Sequence, residues 1–238
     1  MANNSVKLYC SWFCPFAQRP WIALLAKGVP FEYIEQNPYK KTPDWLAVNP
    51  RGLVPALSHN GRIIYESSVC LEYIEDAWPD LEPHILPKDP YEKARARIWS
   101  DHIVKKITPP YFRVLQCQNK ADQEKSKSDL LMRVKELFDQ AYEGGPFFFG
   151  SKTLGLVDIM LFPWTHRFYV HQHYRGFEVP DTVEWSPYRK WNAAMESFEC
   201  VQKTLPDRQR TIEFEAEYAD DTATSEAAKA IRSNDIIP

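Results

Sequence analysis

Pro79, Pro83, Pro87 and Pro90 crowd one short segment, and this constrains the fold of the chain more than any other feature. Proline locks φ and has no N–H to donate, so neither a helix nor a central strand runs through such a cluster. The apolar pattern also differs on its two sides, mixing strand and helix periods before the prolines and keeping to helix spacing after them. Of the 238 residues 44% are hydrophobic, enough to build a substantial core. The expected organisation is a first domain over residues 1–80, a proline-rich linker over 81–90 and a second domain over 91–220. Small polar residues then take over, and 221–238 reads as a loose tail.

In the first half, Val6–Cys10 is a short apolar strand, and Pro15 suits the first position of a helix. Ala17, Ile22, Ala23, Leu24, Leu25 and Ala26 continue that helix until Gly28 ends it. Residues 31–35 alternate as a strand, followed by a lysine-rich loop and a short helix around Trp45 and Leu46. Residues 53–57 and 62–65 read as two strands of a hairpin that turns at His59-Asn60-Gly61, where Asn-Gly supplies the positive φ of a tight turn. A helix from Ser67 to about Trp78 completes the order β-α-β-α-β-β-α, that of a thioredoxin-like domain.

Beyond the prolines, Ala94, Ile98, Ile103 and Ile107 recur at helix spacing, as do Leu130, Leu131, Val134, Leu137 and Phe138. A helix over 154–171, bent at Pro163, and another over 187–198 make the second half all helical. The fold class is therefore α/β followed by all-α. Gly155-Leu156-Val157-Asp158 reads as a helix start in which glycine stands at the cap and Asp158 reaches back to the free N–H groups. His166, His171 and His173 are offset by five and two, which does not align ligands on one helix face, so no metal site is expected.

A net charge of −3 with both signs mixed throughout gives no electrostatic footprint for nucleic acid or an anionic membrane. No apolar run approaches the roughly 20 residues of a membrane span, and Met1-Ala2-Asn3-Asn4 lacks the basic and apolar regions of a secretory signal. The five cysteines, at 10, 14, 70, 117 and 200, form neither a disulfide framework nor a zinc pattern. A cytoplasmic protein with reduced thiols is expected.

One of those thiols stands where a strand turns into a helix. Cys14 precedes Pro15 and so falls at the N-cap, where free N–H groups and the positive end of the helix dipole favour an anion. The expectation is a reactive thiolate with a pKa below ~8.5, the value of free cysteine. Cys10 lies four positions upstream, still on the strand, rather than at the two-residue spacing of a redox dithiol. It reads as strand filler, which leaves Cys14 a lone thiol whose mixed disulfide another molecule must resolve.

The motifs Cys14-Pro15-Phe16-Ala17-Gln18-Arg19, Asn49-Pro50-Arg51-Gly52-Leu53-Val54-Pro55, Tyr65-Glu66-Ser67-Ser68, Leu86-Pro87-Lys88-Asp89-Pro90-Tyr91-Glu92-Lys93-Ala94 and Phe147-Phe148-Phe149-Gly150 follow one another along nearly the whole chain. In this order they resemble the cytosolic glutathione transferases. The first is similar to the omega class, whose members carry cysteine where most other classes use tyrosine or serine.

The resemblance implies glutathione as cosubstrate, bound by Glu66 at its amine, Ser67 at its γ-glutamyl carboxylate, the backbone of Val54 before a cis Pro55, and Lys40 or Lys41 at the glycyl carboxylate, with spacing favouring Lys41. Physically, Glu66 also reads as a solvated charge and Ser67 as a simple N-cap. Trp12, Phe16, Trp164 and Phe168 are candidates for an electrophile pocket and read equally well as core. The implied activity is glutathione-dependent thiol transfer with Cys14 as nucleophile, including deglutathionylation and dehydroascorbate reduction, with weak conjugation. A glutathionyl-hydroquinone reductase, which usually has Trp where Phe16 stands, and a non-enzymatic binding protein of the same fold are the alternatives. A homodimer acting on a small electrophile or mixed disulfide is implied by resemblance alone.

Overall fold

A computed structural model describes residues 5–237; the signal reading at Met1–Asn4 and the last residue of the tail lie outside them. The first half contains β1 (Val6–Cys10), α1 (Pro15–Ala26), β2 (Glu32–Glu35), α2 (Pro43–Val48), β3 (Ala56–His59), β4 (Arg62–Tyr65) and α3 (Ser67–Ala77). The sheet order is β2-β1-β3-β4, with β1 parallel to β2 and antiparallel to β3, and β3 antiparallel to β4. Leu8 sits in the middle of the register, opposite Tyr33 on one side and Leu57 on the other. Val6, Leu8 and Cys10 alternate into the core because successive side chains point to opposite faces of the sheet.

The expected order holds, and its boundaries shift for physical reasons. The hairpin turns at Asn60 and Gly61 with φ of 52° and 79°, the two positive values a type I′ turn demands. β3 begins at Ala56 rather than Leu53 because proline cannot donate to a ladder. The Val54–Pro55 peptide just before it is cis. Helix α3 starts at Ser67, so Glu66, at φ 71°, is the N-cap and the expected capping role of Ser67 does not hold.

The second half is helical: α4 (Pro90–His102), α5 (Thr108–Gln116), α6 (Lys120–Ala141), α7 (Leu156–Thr165), α8 (Phe168–Arg175), α9 (Ser186–Ser197), α10 (Glu199–Gln202), α11 (Arg208–Ala219) and α12 (Glu226–Ser233). A π-turn over Ile103–Ile107 joins α4 to α5. Pro109 and Pro110 have no N–H for the carbonyls of that turn, and a wider ladder accommodates the loss. The single bent helix expected over 154–171 is two helices, α7 and α8. The Arg167 guanidinium donates to the Pro163 carbonyl at 2.6 Å, taking the acceptor that a continuing helix would have used.

Two buried polar clusters fix the second half and the linker. Asp158, 1% exposed, accepts from the Gly155 N–H at 2.8 Å, the Phe148 N–H at 3.2 Å and the Trp191 indole N–H at 2.7 Å. Glycine offers no side-chain oxygen in return, so this is half a capping box, held by its aspartate. In the linker, Lys27 is buried against Glu75 at 2.9 Å and donates to the carbonyls of Leu81 and Pro83. Glu75 in turn accepts from the Ile85 N–H at 2.9 Å.

The tail expected to be loose over 221–238 instead carries α12. Ser225 caps it, accepting from the Ala228 N–H at 2.9 Å, and Ala228 and Ala230 are buried. Gln116 of α5 donates to the Ala228 carbonyl at 3.2 Å. The small residues taken for a solvated tail are alanines, strong helix formers that allow close packing on α5.

Candidate active site

Cys14 is the N-cap of α1, with β-region backbone angles and its own N–H spent on the Ser11 carbonyl at 3.0 Å. Its Sγ lies 4.0 Å from the Val54 carbonyl oxygen, at the floor of a cavity of about 480 Å³. Cys14 as a residue is half-buried and lines that cavity, with the protein packed around its thiol. Burial pushes it up from the ordinary thiol value, and the amides of Ala17 and Phe16 and the guanidinium charges of Arg167 and Arg19 pull it back only in part. The expectation of a pKa below ~8.5 is thus corrected, because desolvation outweighs the helix terminus. The rate of Cys14 alkylation in the ligand-free protein should rise with pH around a midpoint above ~8.5, as read by iodoacetamide labelling followed by mass spectrometry. A midpoint below the free value would restore the helix terminus as the dominant influence. Cys10 is fully buried and pushed much further up by the same cause, in keeping with strand filler.

Lys41, Val54, Pro55, Glu66 and Ser67 line the same cavity as Cys14. The structure brings Lys41 there and leaves Lys40 outside the lining. Gly52, at φ +66°, lets the loop pass under Lys41, since a Cβ there would come within 2.8 Å of the lysine Cδ. The Lys41 ammonium meets Glu226 of α12 at 3.2 Å, and the start of α12 lines the same cavity. Glu66 is paired with Arg51.

Arg19, 1% exposed, belongs to the Cys14 motif, and the sequence alone gives it no role. Its guanidinium donates to Ser67 Oγ at 3.0 Å and to the Met160 carbonyl at 3.1 Å, with Phe16 and Trp164 against its face. Burial pulls it down to about 9, so it stays charged at neutral pH. Because the Ser67 oxygen accepts from Arg19, its own O–H is left to donate, which is the polarity a carboxylate ligand needs.

The aromatic half of the cavity differs from the expected set. Phe16 lines it; Trp12, Trp164 and Phe168 do not. Trp164 is fully buried beneath Phe16 and Tyr111. Trp12 packs edge-on to Phe13 and Phe214 and under Arg210, and Phe168 packs against Phe177 on another face. The wall is made instead by Phe13, Tyr39, Tyr111, Phe112, Phe214 and Tyr218. Helical periodicity cannot tell an aromatic that faces a cavity from one that faces the core. Among the described residues no cluster of histidine, cysteine or acidic side chains could hold a metal ion, and no helix is long and apolar enough to cross a membrane.

Comparison with known proteins places the chain in a family. Residues 13–77 match the model of the glutathione S-transferase N-terminal domain, and 128–197 that of the C-terminal domain. The chain is 35% identical to the probable glutathione S-transferase parC of Nicotiana tabacum, over 90% of this chain and 95% of that protein. Glutathione transferase Omega 3C from Trametes versicolor superimposes with a TM-score of 0.83 at 37% identity, over 94% of each chain. A Tau class glutathione S-transferase from mango, Mangifera indica, gives 0.82 at 26%, over 90% of this chain and 98% of that one.

Proposed function

The chain belongs to the glutathione S-transferase family, and from that premise we propose that it is a cysteine-type thiol transferase similar to the omega class, with Cys14 as nucleophile. The observation that carries this reading is the position of Cys14 at the N-terminus of α1, open to the cavity that Lys41, Val54, Glu66 and Ser67 also line. A family likeness spread over both omega and Tau relatives leaves the class to the residue at this one place. A cysteine there bonds to glutathione sulfur rather than merely hydrogen-bonding it, which favours transfer over conjugation.

Cys14 as thiolate attacks the glutathionyl sulfur of a mixed disulfide, the S–S bond breaks, and the substrate leaves as a thiolate that takes up a proton. A second glutathione attacks the glutathionyl sulfur on Cys14, releasing oxidised glutathione and the thiolate. Ser67 donates to the γ-glutamyl carboxylate, Glu66 accepts from the amine beside Arg51, Lys41 exchanges Glu226 for the glycyl carboxylate, and Val54 offers its backbone to the cysteinyl part. Dehydroascorbate reduction draws on the same thiol. Turnover of a small glutathionyl disulfide with glutathione tests the reading, and a protein that binds glutathione without turnover would contradict it. Exposed Val69, Tyr91 and Ile98 are consistent with the homodimer we include in this proposal.

Glu66→Ala and Ser67→Ala should each weaken glutathione binding by about 1–3 kcal/mol, the scale of a hydrogen bond to a charged group. Ser67→Ala should also lower stability, because it strips the buried Arg19 of an acceptor. Calorimetric titration beside thermal melts separates the two effects. Unchanged affinity in both folded variants would return Glu66 to its ion pair with Arg51 and Ser67 to supporting Arg19.

A further inference from the structure

The cavity contains an acid that thiol transfer between disulfides does not use. Glu215, on α11 between Phe214 and Tyr218, lines the aromatic half. It is 5% exposed, and its Oε2 has no hydrogen-bond partner. Tyr111 of α5, on the same wall, has a buried hydroxyl that also lacks a partner. Arg167, at the junction of α7 and α8, is the opposite charge that acts on Glu215. Its Nη1 donates to Gln18 and the Pro163 carbonyl and its Nη2 to the Phe13 carbonyl, while its buried Nε has no partner. The other titratable groups that sense Glu215 are Tyr169 and Tyr174 of α8, Tyr218 of α11 and Tyr39 before α2. All four, with Tyr111, are pushed up by burial and keep their protons. Burying a carboxyl with an unfilled oxygen is destabilising, and α11 would pack on α5 and α8 as well with an apolar side chain there.

Resting on the thiol-transfer reading above, we propose that Glu215 is a catalytic acid that protonates the oxygen of a small vicinal-dicarbonyl substrate held against Tyr111 in the cavity of Cys14. The aromatic walls fit a compact planar molecule, and the free hydroxyl and carboxyl supply donors for its oxygens. The Cys14 thiolate adds to a carbonyl carbon, the C–S bond forms, and the oxygen takes the proton of Glu215. Glutathione thiolate then attacks the Cys14 sulfur; the C–S bond breaks, and its electron pair reduces the substrate to an enediolate. Glu215, recharged by the proton that glutathione gave up, supplies the second proton. A second glutathione attacks the mixed disulfide as thiolate and frees the Cys14 thiolate, its proton returning to Glu215, so two thiols are oxidised and one dicarbonyl is reduced to its enediol. Burial holds Glu215 up at about 7, where an acid still delivers its proton near neutral pH.

The test is the pH profile of kcat/KM for dehydroascorbate reduction in the wild type and in Glu215→Gln, whose amide keeps the shape and cannot give up a proton. In the wild type kcat/KM should rise with pH up to about 7, then level off, because each gain in thiolate is offset by loss of the protonated acid. In Glu215→Gln it should be lower by roughly 10²-fold or more at pH 7 and keep rising to the midpoint of Cys14. A variant within about threefold of wild type, with the same profile, would overturn the role of Glu215. A wild-type rate that climbs past 7 without levelling would overturn it too, and that result needs no folded variant. Failure of wild-type Cys14 to take up glutathione from oxidised glutathione, read by intact mass, would instead overturn the reading on which the proposal rests.

Discussion

Cys14→Ser is expected to lose glutathione-dependent thiol transfer by roughly 10³-fold or more, down to the uncatalysed rate, because a hydroxyl cannot form the covalent intermediate. The loss should fall on kcat, with glutathione affinity close to that of the wild type, since Lys41, Val54, Glu66 and Ser67 are untouched by the change. In the same variant conjugation can rise, as the serine hydroxyl is placed to hydrogen-bond the thiolate of bound glutathione. Steady-state kinetics with a small glutathionyl disulfide, beside calorimetric titration, separates these effects. Retained transfer in the variant would remove Cys14 from the chemistry.

Asp158→Ala should lower stability by about 3–5 kcal/mol. The methyl group leaves the N–H groups of Gly155, Phe148 and Trp191 buried without their acceptor, and a buried donor left unmade costs about 1–3 kcal/mol. For a chain of this size that is a fall in Tm of roughly 6–20 °C. Asp158→Asn should fall between, since its amide keeps one acceptor oxygen and turns a donor toward one of the three N–H groups. Thermal melts followed by circular dichroism check both, and a fall under about 2 °C for the alanine variant would show that those N–H groups find other acceptors.

The fold was legible in the sequence where one residue type decides the backbone. Asn60-Gly61 placed the hairpin, Pro15 the start of α1, and the proline cluster the end of the mixed pattern. It was less legible where side chains override local preference. The break between α7 and α8 depends on the Arg167 guanidinium reaching the Pro163 carbonyl, and the helical tail on alanines packing against α5. Of the residues that line the cavity, Cys14 was legible from its place at a helix start, whereas Val54, Glu66 and Ser67 were named from the resemblance. The aromatic wall was missed because Tyr111, Phe112 and Phe214 come from helices whose apolar stripes serve core and cavity alike. The pKa of Cys14 was misjudged because sequence shows the helix terminus and not the packing around the thiol.

Intact mass of the protein after incubation with oxidised glutathione tests the central claim most directly. The account predicts a gain of one glutathionyl group, mapped by peptide analysis to Cys14 and removed by added glutathione. No gain, or a gain mapped to Cys10, Cys70, Cys117 or Cys200, would contradict it.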